Sequence, residues 1–323
     1  MRVLLIKLSS LGDVVHTLPA AMDMASQKPD SVIDWVVEPA FAPLLRLCPA
    51  VQGVIEMDLR RWRRNPLSAE TRAGWLRFKQ QLQAQTYDKI IDLQGLTKSA
   101  WVSFLAQPSP RGVRVAMAHR TEGSSYEVPT RWVADLCISV PRRIHAVDRA
   151  REVCAQAMGY AVPTSFQAGL TRLPSDAVSA RQVLCVHGTS RNDKLWPEAH
   201  WIELGHRLLA QAWIPVFPHG NDIEQARAQT LSASLPGSLV WPKASLDELS
   251  QAMSRLGGVI GVDSGLSHMA VALGMPHVQI YNFDTAWRTG PQHAAHQIGV
   301  FAQPWPDVDT VWRAWLGVQG QSS

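Results

Sequence analysis

Val3-Leu4-Leu5-Ile6-Lys7, passing through Leu8 into Ser9-Ser10-Leu11-Gly12-Asp13, is the stretch on which the fold turns. A short unbroken apolar run fits a strand buried on both faces, and the small polar residues behind it open a helix predicted over Gly12 to Ala25. Further strands are expected at Val32–Val37, Gly53–Met57 and Lys89–Asp92, with a helix near Ala69–Gln85 between the last two. Strands alternating with helices specify α/β architecture, a parallel sheet covered on both faces. The pattern restarts with strands at Val183–His187, Ile214–Phe217, Gly258–Val262 and His277–Tyr281, again with helices between them.

Two domains of similar size follow, as a chain of 323 residues allows. The boundaries are expected at 1–160 for the first domain, 161–174 for a linker with two prolines and almost no charge, and 175–305 for the second. A terminal segment, 306–323, holds a helix over about Asp307–Leu316. Its apolar stripe Val308, Trp312 and Trp315 is expected to pack back toward the first domain.

Composition narrows the function. Hydrophobic residues make up 46% and charged residues 18%, which is globular, and the net charge of +4 gives no sign of nucleic-acid binding. That excess has one address: outside Arg60, Arg61, Arg63 and Arg64, the remaining 27 basic residues equal the 27 acidic ones. Four scattered cysteines, Cys48, Cys137, Cys154 and Cys185, read as buried thiols of a reducing compartment. The opening residues offer no signal-peptide core and no stretch is long and apolar enough to span a bilayer, so a cytoplasmic location is expected. Neither a G-x-G dinucleotide fingerprint nor a P-loop is present. Asp307-Val308-Asp309 has the D-x-D form of metal-dependent sugar transferases, but its place at a helix start favours capping.

Three loops between a strand and a helix carry chemistry. Ser10, Gly12 and Asp13 lie at the carboxyl end of the first strand, where α/β sheets place ligands, and Asp13 reads either as a first-turn carboxylate or as a general base. Thr189, Ser190 and Lys194 would suit a diphosphate or form a solvated turn. Asp263, Ser264, Gly265 and His268 start a helix whose N–H groups would suit a phosphate, with capping the alternative. Glu224, near another helix start, would accept from ribose hydroxyls or simply favour the dipole.

Taken together, the opening motif, Asp34-Trp35-Val36-Val37-Glu38, Arg60-Arg61-Trp62-Arg63, Asp92-Leu93-Gln94-Gly95-Leu96-Thr97-Lys98-Ser99, His145-Ala146-Val147, Asp193-Lys194-Leu195-Trp196-Pro197 and Asp263-Ser264-Gly265-Leu266-Ser267-His268 are distinctive. The chain resembles the bacterial lipopolysaccharide heptosyltransferases, and within them the heptosyltransferase I branch. That resemblance implies a GT-B fold, two Rossmann-like domains facing a central cleft, and inverting transfer of L-glycero-D-manno-heptose from ADP-heptose to the Kdo of Kdo2-lipid A, with no metal or other cofactor. It implies Asp13 as base, Lys194, Thr189 and Ser190 at the diphosphate, Glu224 at the ribose, and Asp263, Ser264, Gly265 and His268 at the donor phosphate and sugar. Ser10, Gly12, Arg60, Arg61, Arg63, Arg64, Lys98 and Arg120 would face the acceptor, at the inner face of the cytoplasmic membrane reached by peripheral contact. A heptosyltransferase II acting on a heptose acceptor, a nucleotide-sugar epimerase of the same architecture and an anionic-lipid binder are the competing readings. The chain departs from the family at Tyr281-Asn282-Phe283-Asp284-Thr285-Ala286, where Tyr-Gly-Pro-Thr-Asp-Pro is usual.

Overall fold

A computed structural model describes residues 1–320, which form two compact units, the first Met1–Gly169 and the second from Leu170 onward. In the first unit β1 (Arg2–Ile6), β2 (Val32–Val37), β3 (Gly53–Glu56), β4 (Thr86–Asp92), β5 (Gln107–Met117) and β6 (Leu136–Ile138) make one sheet in the order β3-β2-β1-β4-β5-β6. All pairings are parallel, and Ile6 lies in register with Val36 on one side and Asp92 on the other. The strand order reverses between β1 and β4, and there the loops leaving the two strands diverge and leave a crevice.

The second unit repeats the plan. β7 (Gln182–Val186), β8 (Ile214–Phe217), β9 (Leu239–Val240), β10 (Gly258–Val262), β11 (His277–Tyr281) and β12 (Gln297–Phe301) are ordered β12-β11-β10-β7-β8-β9, all parallel, with the reversal between β7 and β10. Both sheets thus have the 3-2-1-4-5-6 order of dinucleotide-binding folds.

One expectation needs correction. The helix expected over Gly12 to Ala25 is two helices, Leu11–Val15 and Leu18–Gln27. Pro19 has no N–H to give and its ring would crowd the carbonyl of Val15, so it sits in the first turn of a new helix instead. The terminal helix, Val308–Gly320, buries Val308, Val311, Trp315 and Val318 in the core of the second unit. A side chain on Gly258 of β10 would collide with the Trp315 ring, so a bare backbone lets the helix seat there.

Candidate active site

In the first unit the loops after β1, β2 and β4 meet at the switch point. Ser10 caps the helix Leu11–Val15, and its backbone N–H and its hydroxyl both donate to Asp13 Oδ2, at 3.1 and 3.0 Å. Lys7, at the end of β1, is buried; its Nζ donates to the Leu93 carbonyl at 3.1 Å and lies 3.5 Å from Asp13 Oδ1. Partial burial would raise the Asp13 carboxyl, but Lys7 and the two Ser10 bonds outweigh it and hold it down at about 2. Burial in turn lowers the Lys7 ammonium, and Asp13 offsets this only in part.

Behind this pair the loop after β4 is tied down by Asp92. Its Oδ1 accepts from the Gln94 and Gly95 N–H groups at 2.9 and 3.0 Å, and its Oδ2 from the Ser99 hydroxyl at 2.9 Å. Gln94 Oε1 then accepts from the N–H groups of Leu8 and Ser9, which locks the loops after β1 and β4 together. Burial pushes the Asp92 carboxyl up to about 6 despite those three donors. Lys98 Nζ donates to Ser9 Oγ at 3.0 Å and to Glu38 Oε1 at 3.3 Å, and the other oxygen of Glu38 takes Arg60 Nε at 2.9 Å. Ser10, Gly12, Asp13, Lys98 and Arg60 are therefore brought together. Lys7, Glu38, Asp92 and Gln94 join them, though no role was read for these four from the sequence; a charged or amide residue directly at the carboxyl end of a buried strand was the available signal.

The arginine cluster lies on a helix. Leu59–Arg64 is a helix capped by Asp58, whose Oδ1 accepts from the Arg61 N–H at 3.3 Å, and Trp62 anchors it edge-on to Trp75 with ring centroids 5.8 Å apart. Arg61 pairs with Glu70 at 2.7 Å, while Arg63 and Arg64 are exposed with no ion pair among the described residues. Arg120 lies in the loop beyond β5, exposed, its Nε donating to the Ser124 carbonyl at 3.1 Å. Cys137 is exposed on the edge strand β6, unlike the buried Cys48, Cys154 and Cys185, so one of the four thiols departs from the expectation of burial.

In the second unit the loops after β7 and β10 converge. Lys194 Nζ donates to Asp263 Oδ2 at 2.5 Å, His268 Nε2 lies 3.3 Å from Oδ1, and the Thr189 hydroxyl donates to the Asp263 carbonyl at 3.1 Å. Burial alone would raise the Asp263 carboxyl; His268 and Lys194 reverse this and hold it well below the usual carboxylate range. Ser264 stands at the start of the helix Gly265–Ala272, its buried hydroxyl without a partner among the described residues. Glu224 Oε2 accepts from the Gly220 N–H at 2.7 Å, and a side chain on Gly188 would come within 3.0 Å of its carboxyl carbon, so this acid lies against the loop that carries Thr189 and the exposed Ser190. The loop after β11 joins the group: Asn282 Nδ2 donates to the Asp193 carbonyl, and the Arg191 guanidinium lies 5.4 Å from the centre of the Phe283 ring. Asp307 and Asp309 stand apart. Asp307 caps the terminal helix by accepting from the Thr310 N–H at 2.7 Å, and Asp309 pairs with Arg207 at 2.7 Å.

Two parallel sheets of this order in one chain, each with its polar cluster at the switch point, have the architecture of the GT-B class, which serves glycosyltransferases and nucleotide-sugar epimerases alike. Comparison with known proteins agrees. The glycosyltransferase family 9 (heptosyltransferase) profile matches residues 75–310. Lipopolysaccharide heptosyltransferase 1 of Pseudomonas aeruginosa is 38% identical over 290 residues, covering 87% of this chain and 78% of the relative. The solved structure of Escherichia coli heptosyltransferase WaaC with ADP superposes with a TM-score of 0.86 at 31% identity over 97% of this chain and 98% of that one. The same enzyme with ADP-2-deoxy-2-fluoro heptose gives 0.80 at 31% identity over all of both chains. The chain belongs to glycosyltransferase family 9, the heptosyltransferases.

Proposed function

We propose that this heptosyltransferase takes its sugar from ADP-heptose and passes it, with inversion at the anomeric carbon and without a metal ion, to the Kdo of Kdo2-lipid A in lipopolysaccharide core synthesis. A donor of this kind is supported by the solved relatives that carry ADP and an ADP-heptose analogue. The acceptor reading is supported by the 38% identity to a heptosyltransferase 1 and by cations, Lys98, Arg63 and Arg64, placed around the Asp13 loop or one helix away.

The observation that carries the mechanism is the carboxylate of Asp13, fixed at the switch point of the first sheet by Ser10 and Lys7. A sugar hydroxyl is a weak nucleophile, and its acidity rises only as its oxygen bonds to the anomeric carbon. A carboxylate that is ionised and already aimed can take the proton at that moment. On the donor side the departing ADP gains negative charge, which Lys194, the Thr189 and Ser190 hydroxyls and the N–H groups opening the helix at Gly265 stabilise. Glu224 accepts from the ribose hydroxyls. Asp263 bears a negative charge of its own, so it acts by holding Lys194 and His268 in position. Among the described residues no helix is long and apolar enough to cross a membrane, and we place the enzyme at the cytoplasmic face of the inner membrane through peripheral contact with its lipid acceptor.

Incubating the purified protein with ADP-heptose, with and without Kdo2-lipid A and in the presence of EDTA, tests this. Heptosylated acceptor with inverted anomeric configuration is expected only when both substrates are present, and EDTA is expected to leave the rate unchanged. Change in the donor alone would indicate an epimerase, and transfer only to an already heptosylated acceptor would indicate the second type of heptosyltransferase.

A further inference from the structure

Beside the Asp13 loop lies a groove of about 470 Å³ whose floor is Met57, Leu59, Pro66, Trp75 and Trp101, with Arg63 and Lys98 at its rim. Its walls come from the helix Leu59–Arg64, the helix Ala69–Leu82 and the helix Thr97–Leu105, all in the first unit. The aromatic rings run on outward: Trp62 to Trp75 at 5.8 Å between centroids, Trp75 to Trp101 at 6.5 Å, Trp101 to Phe104 at 6.4 Å. Half the surface of Trp101 and 61% of that of Phe104 remain exposed, which is much apolar area to leave to water in one place.

We propose that this groove receives an acyl chain of the lipid-anchored acceptor, a reading that rests on the acceptor class proposed above. Three observations select that occupant. Lys98 lines the groove and its Nζ is bonded to Ser9 Oγ, so the groove adjoins the loop that carries Asp13, and one ligand can present its reacting sugar there and its apolar part to the groove. The two hydroxyls in its lining are already engaged within the protein, Thr71 with Ser68 and Thr97 with Glu127, so the walls suit hydrocarbon and offer little to a peptide backbone in need of hydrogen bonds. Both charged residues in the lining are cations; Lys98 is paired with Glu38, and Arg63, with no ion pair among the described residues, matches an acidic head on an apolar tail. The neighbouring groove of about 780 Å³ differs in this respect: its Arg46 and Arg61 are matched by its own Glu56 and Glu70.

The test compares Kdo2-lipid A with the same head group stripped of its acyl chains, measuring equilibrium binding and transfer for the wild type, Trp101→Ala and Trp101→Phe. Trp101 is largely exposed, so its replacement leaves the fold intact. Wild type is expected to bind the acylated acceptor the more tightly. Trp101→Ala is expected to lose about tenfold for the acylated acceptor and less than twofold for the stripped one, with Trp101→Phe recovering most of the loss. Equal losses for both acceptors, or none, overturn the proposal. So does an equal loss of binding to anionic vesicles without acceptor, which would mark a membrane-contact face, or a change in sedimentation, which would mark contact between copies. Failure of every variant and wild type to bind or heptosylate either acceptor would instead overturn the acceptor class itself.

Discussion

Replacing Lys194 with alanine deletes the cation that holds Asp263 at 2.5 Å in a site where the two side chains are only 17% and 8% exposed. Two consequences follow, and they can be measured apart. For stability, taking away one member of a buried pair leaves a bare carboxylate and typically costs about 3–5 kcal/mol; His268, still 3.3 Å from the other oxygen, puts this case near the lower end. For donor binding, the loss of one charge-assisted hydrogen bond is worth about 1.5–3 kcal/mol, or roughly 10- to 150-fold in ADP affinity. Asp263, no longer neutralised, adds repulsion to that. The double variant Lys194→Ala/Asp263→Asn removes the repulsion and the bare charge together. It is expected to regain most of the stability and to bind ADP more tightly than Lys194→Ala, while staying weaker than wild type. Titration calorimetry with ADP and urea unfolding report the two quantities. ADP affinity within twofold of wild type in the single variant, or a double variant that binds no better than the single, would refute the account of Lys194 as the diphosphate cation and Asp263 as its holder.

Three further outcomes are expected. Asp13→Asn lowers turnover about 10²- to 10⁴-fold, the usual share of a general base, while calorimetric ADP affinity, assigned in the proposal to the second unit, stays the same; near-normal turnover would return Asp13 to helix capping. Arg63→Gln/Arg64→Gln, removing the two cluster arginines that no carboxylate engages among the described residues, raises the acceptor KM most at low ionic strength, and a KM unchanged there would make them solvated surface charge. Asp92 binds its proton more tightly when folded, with its carboxyl at about 6 against an ordinary value near 4, so its contribution is fully present below pH 4 and lost as pH rises through 6, roughly 3 kcal/mol in all. Urea midpoints at pH 5 and pH 7.5 should therefore fall more for wild type than for Asp92→Asn, and parallel curves would show that burial does not control this group.

The strands that decided the reading were legible because burial on both faces makes them mostly apolar, with Asp34, His277 and Gln279 as interior exceptions: β1, β2, β7, β10 and β11 start or end within a residue or two of expectation. Others were hidden for physical reasons. β5 carries Pro108, Pro110, Arg111 and Gly112 in its first half, where its pairing with β4 shifts register, so its composition reads as a loop. β6 and β9, at the sheet edges, have only three and two residues and exist through the neighbour they pair with. The arginine run carries no helix signal in the sequence because its six-residue helix has only Leu59 and Trp62 as apolar contacts and is too short for a periodic stripe. Among site residues, those on small-residue loops stood out, whereas Lys7 and Asp92 looked like the last residues of strands and Glu38 like the residue that follows one. Their partners, Asp13, Lys98 and Ser99, are 6, 60 and 7 positions away, and no local pattern signals such pairings.

The two switch points use the same pair of charges to opposite ends. In the first unit the lysine is the buried member, with 5% of its side chain exposed, and the carboxylate of Asp13 keeps 40%. In the second unit the carboxylate of Asp263 is the more buried member at 8%, and Lys194 keeps 17%. A buried charge cannot reach a ligand, and its effect is to fix and compensate the partner that can. The first arrangement therefore presents an anion to incoming chemistry and suits removal of a proton; the second presents a cation and suits a leaving diphosphate. On the reading proposed above, exchanging which member is buried makes one structural plan serve as an acceptor half and a donor half, which is the division of labour that sugar transfer from a nucleotide requires.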